Sequence, residues 1–211
     1  MGSETVFIGD VHGCSEELSL LLAKLPAPVG QNLIFLGDLV NKGPDPEGVV
    51  RTVLSLSARC LRGNHENDHL RWASGQSRPK PESRTTKSRM APETYAAYLS
   101  LAKAMPLFLA GDAYVAVHAA VEAGIALEQQ DPAVLTGDTA MPASWITTVD
   151  LGRPLVAGHK RYAKDPSLPF IREGRFYGID TGCVYGGALT ALLLPSGSII
   201  QIPARQRWAA K

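Results

Sequence analysis

Three cysteines in 211 residues, Cys14, Cys60 and Cys183, are too few and too irregularly spaced for a disulfide framework or a thiolate metal finger. Their number suits a reducing compartment. Neither sign of charge is in excess. Lys and Arg total 21 against 20 Asp and Glu, a net charge of +1, so the chain as a whole is not an obvious polyanion binder. No apolar run approaches the roughly 20 residues of a membrane-spanning helix. The N-terminus runs from MGSE straight into TVFI, so no secretory signal is visible, and Val6 stands where a myristoylation motif wants Ser or Thr. These absences lead to the expectation of a cytoplasmic protein with no membrane anchor. With 45% hydrophobic residues the chain has material for one core, and a single domain over 1–211 is expected.

What is present is a regular alternation. TVFI (5–8) is a short strand-like run ending in Gly-Asp. Leu18, Leu21, Leu22 and Leu25 then recur at helical spacing before Pro26. NLIFL (32–36) also ends in Gly-Asp. Asp45-Pro46-Glu47 reads as a helix start, with Val49, Val50, Val53 and Leu54 as its buried face. ARCL (58–61) is a third strand, ending in RGNHE. Strand, loop and helix repeated three times predict an α/β fold with a mostly parallel sheet. Residues 74–92, rich in Ser, Pro and basic residues, read as a long irregular loop. After the helix-like 92–105, the runs PLFLA, AYVAVHA, PLVAGH, RFYGIDTG, ALTALLLP and SIIQIPA read as strands. Ser196-Gly197 forms a hairpin signal between the last two.

Polar residues stand where these runs end. Asp10 and Asp38 follow the first two strands, Asn64 the third, and four of the five histidines sit at run ends: His12, His65, His118 and His159. One such Asp or His is ordinarily a turn or structural residue; the ensemble carries the argument. Strands that share a sheet bring their carboxyl ends to one crevice. That crevice would hold an oxygen and imidazole ligand set suited to Mn, Fe, Zn or Mg. It is too many ligands for one tetrahedral ion. Two ions sharing a bridging carboxylate account for it, an arrangement that clamps a phosphoryl group for in-line attack.

The segments GDVHG (9–13), GDLVNKG (37–43), RGNHE (62–66), VHA (117–119) and GH (158–159) resemble, in order, those of calcineurin-type metallophosphoesterases of the phosphoprotein phosphatase type. The resemblance implies a two-sheet α/β/β/α sandwich with outer helices. It implies two divalent ions, manganese first, with iron, zinc, cobalt or magnesium as alternatives. By it, Asp10 and His12 hold one ion, Asp38 bridges, and Asn64, His118 and His159 complete the other. His65 is the implied general acid and Arg62 the implied phosphate clamp. The nucleophile would be water activated by the metal pair.

The Cys of GDVHGC, the Lys-Gly-Pro at 42–44 and DTGCVYGGALTAL (180–192) are similar to the diadenosine tetraphosphatase (ApaH-like) branch. That branch implies cleavage of phosphoanhydride bonds in dinucleoside polyphosphates, polyphosphate or capped RNA ends. The alternatives are a serine/threonine protein phosphatase and a catalytically inert phospho-binding module. Protein phosphatases usually carry Asp and Arg where this chain has Asn41 and Lys42. An amide beside His65 orients the ring without adding charge, and Lys42 offers phosphate a point charge. Tyr185 is a candidate for stacking on a base. Arg71, Arg78, Lys80, Arg84, Lys87 and Arg89, opposed between 71 and 91 by Glu82 alone, suggest a basic flap over a polyanion. His69 belongs to no motif and reads as a helix-surface residue. No obligate protein partner is expected.

Overall fold

The computed structural model describes residues 4–26 and 32–210. Within them ten strands make two five-stranded sheets. In the first, β1 (Thr5–Ile8), β2 (Leu33–Phe35) and β3 (Arg59–Cys60) run parallel. The hairpin of β9 (Ala188–Leu194) and β10 (Ser198–Pro203) adds antiparallel to β1 through β9. In the second sheet β5 (Val115–Val117), β6 (Leu155–Ala157) and β8 (Phe176–Gly178) are parallel. Its antiparallel edges are β4 (Phe108–Ala110) and β7 (Phe170–Arg172). The sequence pattern missed β7, three residues of which only parts are buried.

Strand alternation explains the layering. Phe7, Ile34, Ala116, Val156, Tyr177, Leu192 and Leu194 turn inward and pack together between the sheets. Their neighbours Val6, Ile8, Leu33, Phe35, Ala191 and Leu193 face the other way, onto helices. On that side lie α1 (Ser15–Lys24), α2 (Pro46–Leu56) and α5 (Pro92–Ala104), with α3 (Asn64–Ala73) and α4 (Pro81–Ser88) alongside. The outer face of the second sheet packs under α6 (Pro132–Thr136) and α7 (Trp145–Thr148). This is the expected α/β/β/α sandwich. Among the described residues, no helix is long and apolar enough to cross a membrane.

The helix starts follow the sequence signals. Asp45 Oδ1 accepts the Gly48 N–H at 2.8 Å, and Pro46 opens α2. Val49, Val50 and Val53 are buried, but Leu54 is 43% exposed and lies off the buried face. The 74–92 segment departs further from expectation. It is not an irregular flap, because α4 occupies its middle and docks with Ser83 and Thr86 buried. Much of its positive charge is engaged. Lys80 pairs with Asp68 at 2.6 Å, and Arg89 Nη1 donates to the Gly43 carbonyl at 2.9 Å. Lys87 lies 4.8 Å from the Trp72 ring centre, and Arg71 pairs with Asp68 and Asp138.

Candidate metal centre and active site

Five parallel strands end at one edge of the sandwich, and the polar residues follow them directly. β1 leads to Asp10, β2 to Asp38, β3 to Asn64, β5 to His118 and β6 to His159. The turns are tight. His12, Asp38, Asn41, Lys42 and His159 have left-handed backbones, and Ser57 is the one other non-glycine residue found so among the described residues. Such positions are sparsely populated and gather where function overrides local preference. Gly63 lets the third loop approach the second, since a Cβ there would collide with Asp38 Oδ1. Gly43 likewise lies against the carbonyl of His12.

Asp38 is the centre of the cluster. Its Oδ2 lies 3.6 Å from His12 Nε2, 3.5 Å from His118 Nε2 and 3.9 Å from His65 Nε2. Its Oδ1 accepts the His65 backbone N–H at 3.1 Å. Burial would raise this carboxyl, but His118, His65 and His12 hold it well below the usual carboxylate range. Two rings have their far nitrogens fixed by backbone. His12 Nδ1 donates to the Val40 carbonyl at 3.0 Å, and His118 Nδ1 donates to the Leu36 carbonyl at 2.7 Å. Both therefore aim Nε2 into the cluster, the tautomer a metal ligand requires. Burial, with Lys42 nearby, lowers His12 to about 4. Burial, with His118 nearby, lowers His159 to about 4. Both rings are therefore neutral at pH 7.

The residues fit a divalent metal pair. Asp38, His118 and His159 converge as one potential ligand group and His12, Asp38 and His65 as another. Asn64 Oδ1 and His118 Nε2 are buried without a hydrogen-bond partner, a costly state for a polar atom. Although burial opposes it, Asp38 and Asp10 raise the His118 pKa to about 10, so the surrounding carboxylates favour a positive charge at this ring, and a divalent ion at Nε2 would take the place of that proton. Asp10 accepts the His159 N–H at 3.1 Å. Burial, then Asp180, raises the Asp10 carboxyl well above its ordinary value. Carboxylates crowded in this way call for positive charge.

Beside the cluster, Asn41 Nδ2 donates to His65 Nδ1 at 2.7 Å. Lys42 Nζ donates to His12 Nε2 at 3.0 Å and lies 5.4 Å from the centre of the Tyr185 ring. Arg161, which the sequence reading missed, sits 4.7 Å from the same ring. Two cations against one aromatic ring make a positive rim beside the cluster. Asp180, also missed, ends β8 as Asp10 ends β1, and is buried. Its Gly-Ile-Asp setting echoed the other strand ends.

Two expectations need correction. Arg62 is turned away from the cluster. Its Nε donates to the Ala102 carbonyl at 3.1 Å and its Nη2 to that of Lys103 at 2.8 Å, capping the end of α5. It lines a cavity of about 560 Å³ with Asn67, Arg71 and Lys103. His69 is not on the helix surface but fully buried, bonded to Asn41 and Tyr95. A further residue had a sequence signal that went unread: Glu66 of RGNHE. It is fully buried, and its carboxylate accepts the backbone N–H groups of Asp38 at 2.8 Å, Leu39 at 3.0 Å and Gly63 at 3.0 Å. It clasps the Asp38 loop to α3. Cys14 and Cys183 are buried side by side. The Cys14 contact and burial push the Cys183 thiol far up, out of reach of thiolate chemistry.

The family model of calcineurin-like phosphoesterases matches residues 4–131. An asymmetrical bis(5'-nucleosyl)-tetraphosphatase, PrpE, of Halalkalibacterium halodurans is 32% identical over 94% of this chain and 93% of its own length. A symmetrical bis(5'-nucleosyl)-tetraphosphatase of a Janthinobacterium species is 33% identical over 78% of this chain, but the match spans only 58% of that longer relative. Among solved structures, a protein provisionally assigned as a diadenosine tetraphosphatase superposes with a TM-score of 0.74 at 26% identity. The match covers 95% of this chain and 93% of that one.

Proposed function

The chain belongs to the calcineurin-like phosphoesterase family, and from that premise we propose that it hydrolyses phosphoanhydride bonds in dinucleoside polyphosphates, using a pair of divalent ions. One observation carries the reading: a single carboxylate oxygen of Asp38 faces the Nε2 atoms of three imidazoles within 4 Å, with the unpartnered Asn64 Oδ1 also buried. Asp10 and His12 would hold one ion, Asn64, His118 and His159 the other, and Asp38 both. Bound there, the ions supply electrostatic stabilisation and an activated water. Oxygen and imidazole ligands without thiolate suit Mn, Fe, Zn or Mg, and the family resemblance puts manganese first among them. The buried free cysteines support a cytoplasmic setting.

The chain's own residues do the rest. Lys42 and Arg161 offer positive charge to phosphates beside the cluster, and Tyr185 offers a face to a base. His65 meets the leaving oxygen with Nε2. Polyphosphate and capped RNA ends present the same linkage and are the natural comparisons. The test is hydrolysis by the Mn²⁺-loaded protein of diadenosine tetraphosphate, polyphosphate, capped RNA and a phosphopeptide, with products separated by chromatography. ATP plus AMP reports unequal cleavage, and two ADP equal cleavage. Diadenosine tetraphosphate should be the best substrate. No turnover and no bound metal would sink the reading.

A further inference from the structure

The underside of the Asn41 loop holds more polar groups than metal binding needs. Three buried side chains reach it from three helices: His69 from α3, Thr86 from α4 and Tyr95 from α5. Thr86 Oγ1 donates to Asn41 Oδ1 at 2.7 Å, and His69 Nε2 donates to the same oxygen at 3.0 Å. The Tyr95 hydroxyl donates to His69 Nδ1 at 3.0 Å. Burial lowers His69 to about 4, so this ring is neutral and has one nitrogen free to accept. Two donors on the amide oxygen decide which way the amide faces. Its Nδ2 must point at His65 Nδ1, where it stands at 2.7 Å. An amide N–H only donates. The His65 Nδ1 therefore offers a lone pair, and the ring proton sits on Nε2, the nitrogen that faces Asp38.

We propose that Tyr95, His69 and Thr86 are positioning residues that lock Asn41, and through it His65, as an Nε2–H hydrogen-bond donor. The lock restricts hydrolysis to phosphates whose leaving oxygen departs as a stable anion. Those are phosphoanhydrides and aryl phosphates, as opposed to alkyl phosphomonoesters such as phosphoserine. The inference rests on the phosphohydrolase reading above and narrows its substrate class.

The bonds account for the restriction. Water adds its oxygen to phosphorus and loses a proton to solvent, while the bond to the bridging oxygen breaks and its electron pair stays on that oxygen. In an anhydride the oxygen belongs to a phosphate, which spreads the charge, and a hydrogen bond from Nε2 suffices. A serine alkoxide is far more basic and needs a whole proton. A ring whose Nδ1 is occupied by a donor could give that proton only by becoming an imidazolate. A carboxylate at position 41 would reverse this. It could accept from His65 Nδ1, Thr86 and His69 together, so the ring could carry two protons and release one.

The experiment uses the full chain loaded with Mn²⁺. It measures kcat/KM for diadenosine tetraphosphate, p-nitrophenyl phosphate, phenyl phosphate and a phosphoserine peptide. Efficiency should fall with leaving-group basicity, the serine ester lying about 100-fold or more below the aryl esters. Asn41→Asp should raise the ratio of serine-ester to aryl-ester turnover by about tenfold or more. Thr86→Val should lower kcat on the anhydride with KM unchanged, and Thr86→Ser should restore it. Nitrogen-15 NMR of the histidines, taken on the chain loaded with diamagnetic Zn²⁺ in place of Mn²⁺ and assigned with His65→Gln, should find His65 protonated at Nε2. Equal turnover of alkyl and aryl esters, an unaltered ratio in Asn41→Asp, or protonation at Nδ1 would each overturn the proposal alone. Absence of turnover on every substrate would overturn the phosphohydrolase reading as well.

Discussion

Asp38 and Lys42 are four residues apart in one loop and pull in opposite directions on the same site. Asp38 presents an oxygen to three imidazoles, whereas Lys42 covers the Nε2 lone pair of His12 at 3.0 Å. A cation that coordinates His12 must displace that ammonium. Lys42→Ala should therefore tighten divalent-ion binding in calorimetry while raising KM for the anionic substrate. Unchanged metal affinity would mean that the contact imposes no competition. Asp38→Asn removes the charge shared by both ligand groups and should abolish metal-dependent turnover. Glu66→Gln keeps the shape but puts an amide N–H where backbone donors need an acceptor. About 10–100-fold loss of metal affinity or activity is expected, typical of an outer-shell partner. Wild-type behaviour of Glu66→Gln would show that the loop holds Asp38 without it.

Among the elements, α5 is held by Arg62, in the loop before α3, and by His69 of α3, and each makes a test. Arg62→Ala frees the last carbonyls of α5. Melting should drop, with a cost of about 1 kcal/mol, and KM should stay as it was; a raised KM would return Arg62 to the substrate. His69 has a folded pKa of about 4 against about 6.5 unfolded. The unfolded chain takes up its proton first, so this contribution is whole above pH 6.5 and is lost as pH falls toward 4. The urea midpoint of the metal-free protein should decline over that window, and less so in His69→Gln. The strands and the Gly-Asp ends were legible because period-two burial and strand-end turns are local signals. Asp10, His12, Asp38, His118 and His159 stand out in the sequence in that way, as polar residues at strand ends. Arg62 and His69 were misread because their partners, the end of α5 and the Asn41 amide, are distant in sequence. Helix α4 was hidden by a composition that suits loops as well as solvated helices. Thr86, one hydroxyl in that polar stretch, carried no local sign of burial.

For the molecule as a whole, the proposed ligands divide between sheets. Asp10, Asp38 and Asn64 follow strands of one sheet, while His118 and His159 follow strands of the other. The His118 bond to the Leu36 carbonyl and the His159 bond to Asp10 already cross that divide. A bound ion would add a third kind of crossing. At 100 times its Kd, a ligand confined to the folded state adds about 2.7 kcal/mol. Chelation should therefore lower the melting temperature, and Mn²⁺ should restore it. Hydrogen exchange should slow in β2 and β5 together. A melting temperature indifferent to chelator would argue that the two sheets are already locked.

The left-handed backbone at residues 41 and 42 bears on how such a site changes over generations. Asn and Asp are the side chains that best tolerate that conformation, and their codons differ at a single base. The loop can therefore trade an amide for a carboxylate in one mutational step, with no reshaped turn between. A change of substrate preference across this boundary need not wait for compensating substitutions elsewhere in the fold.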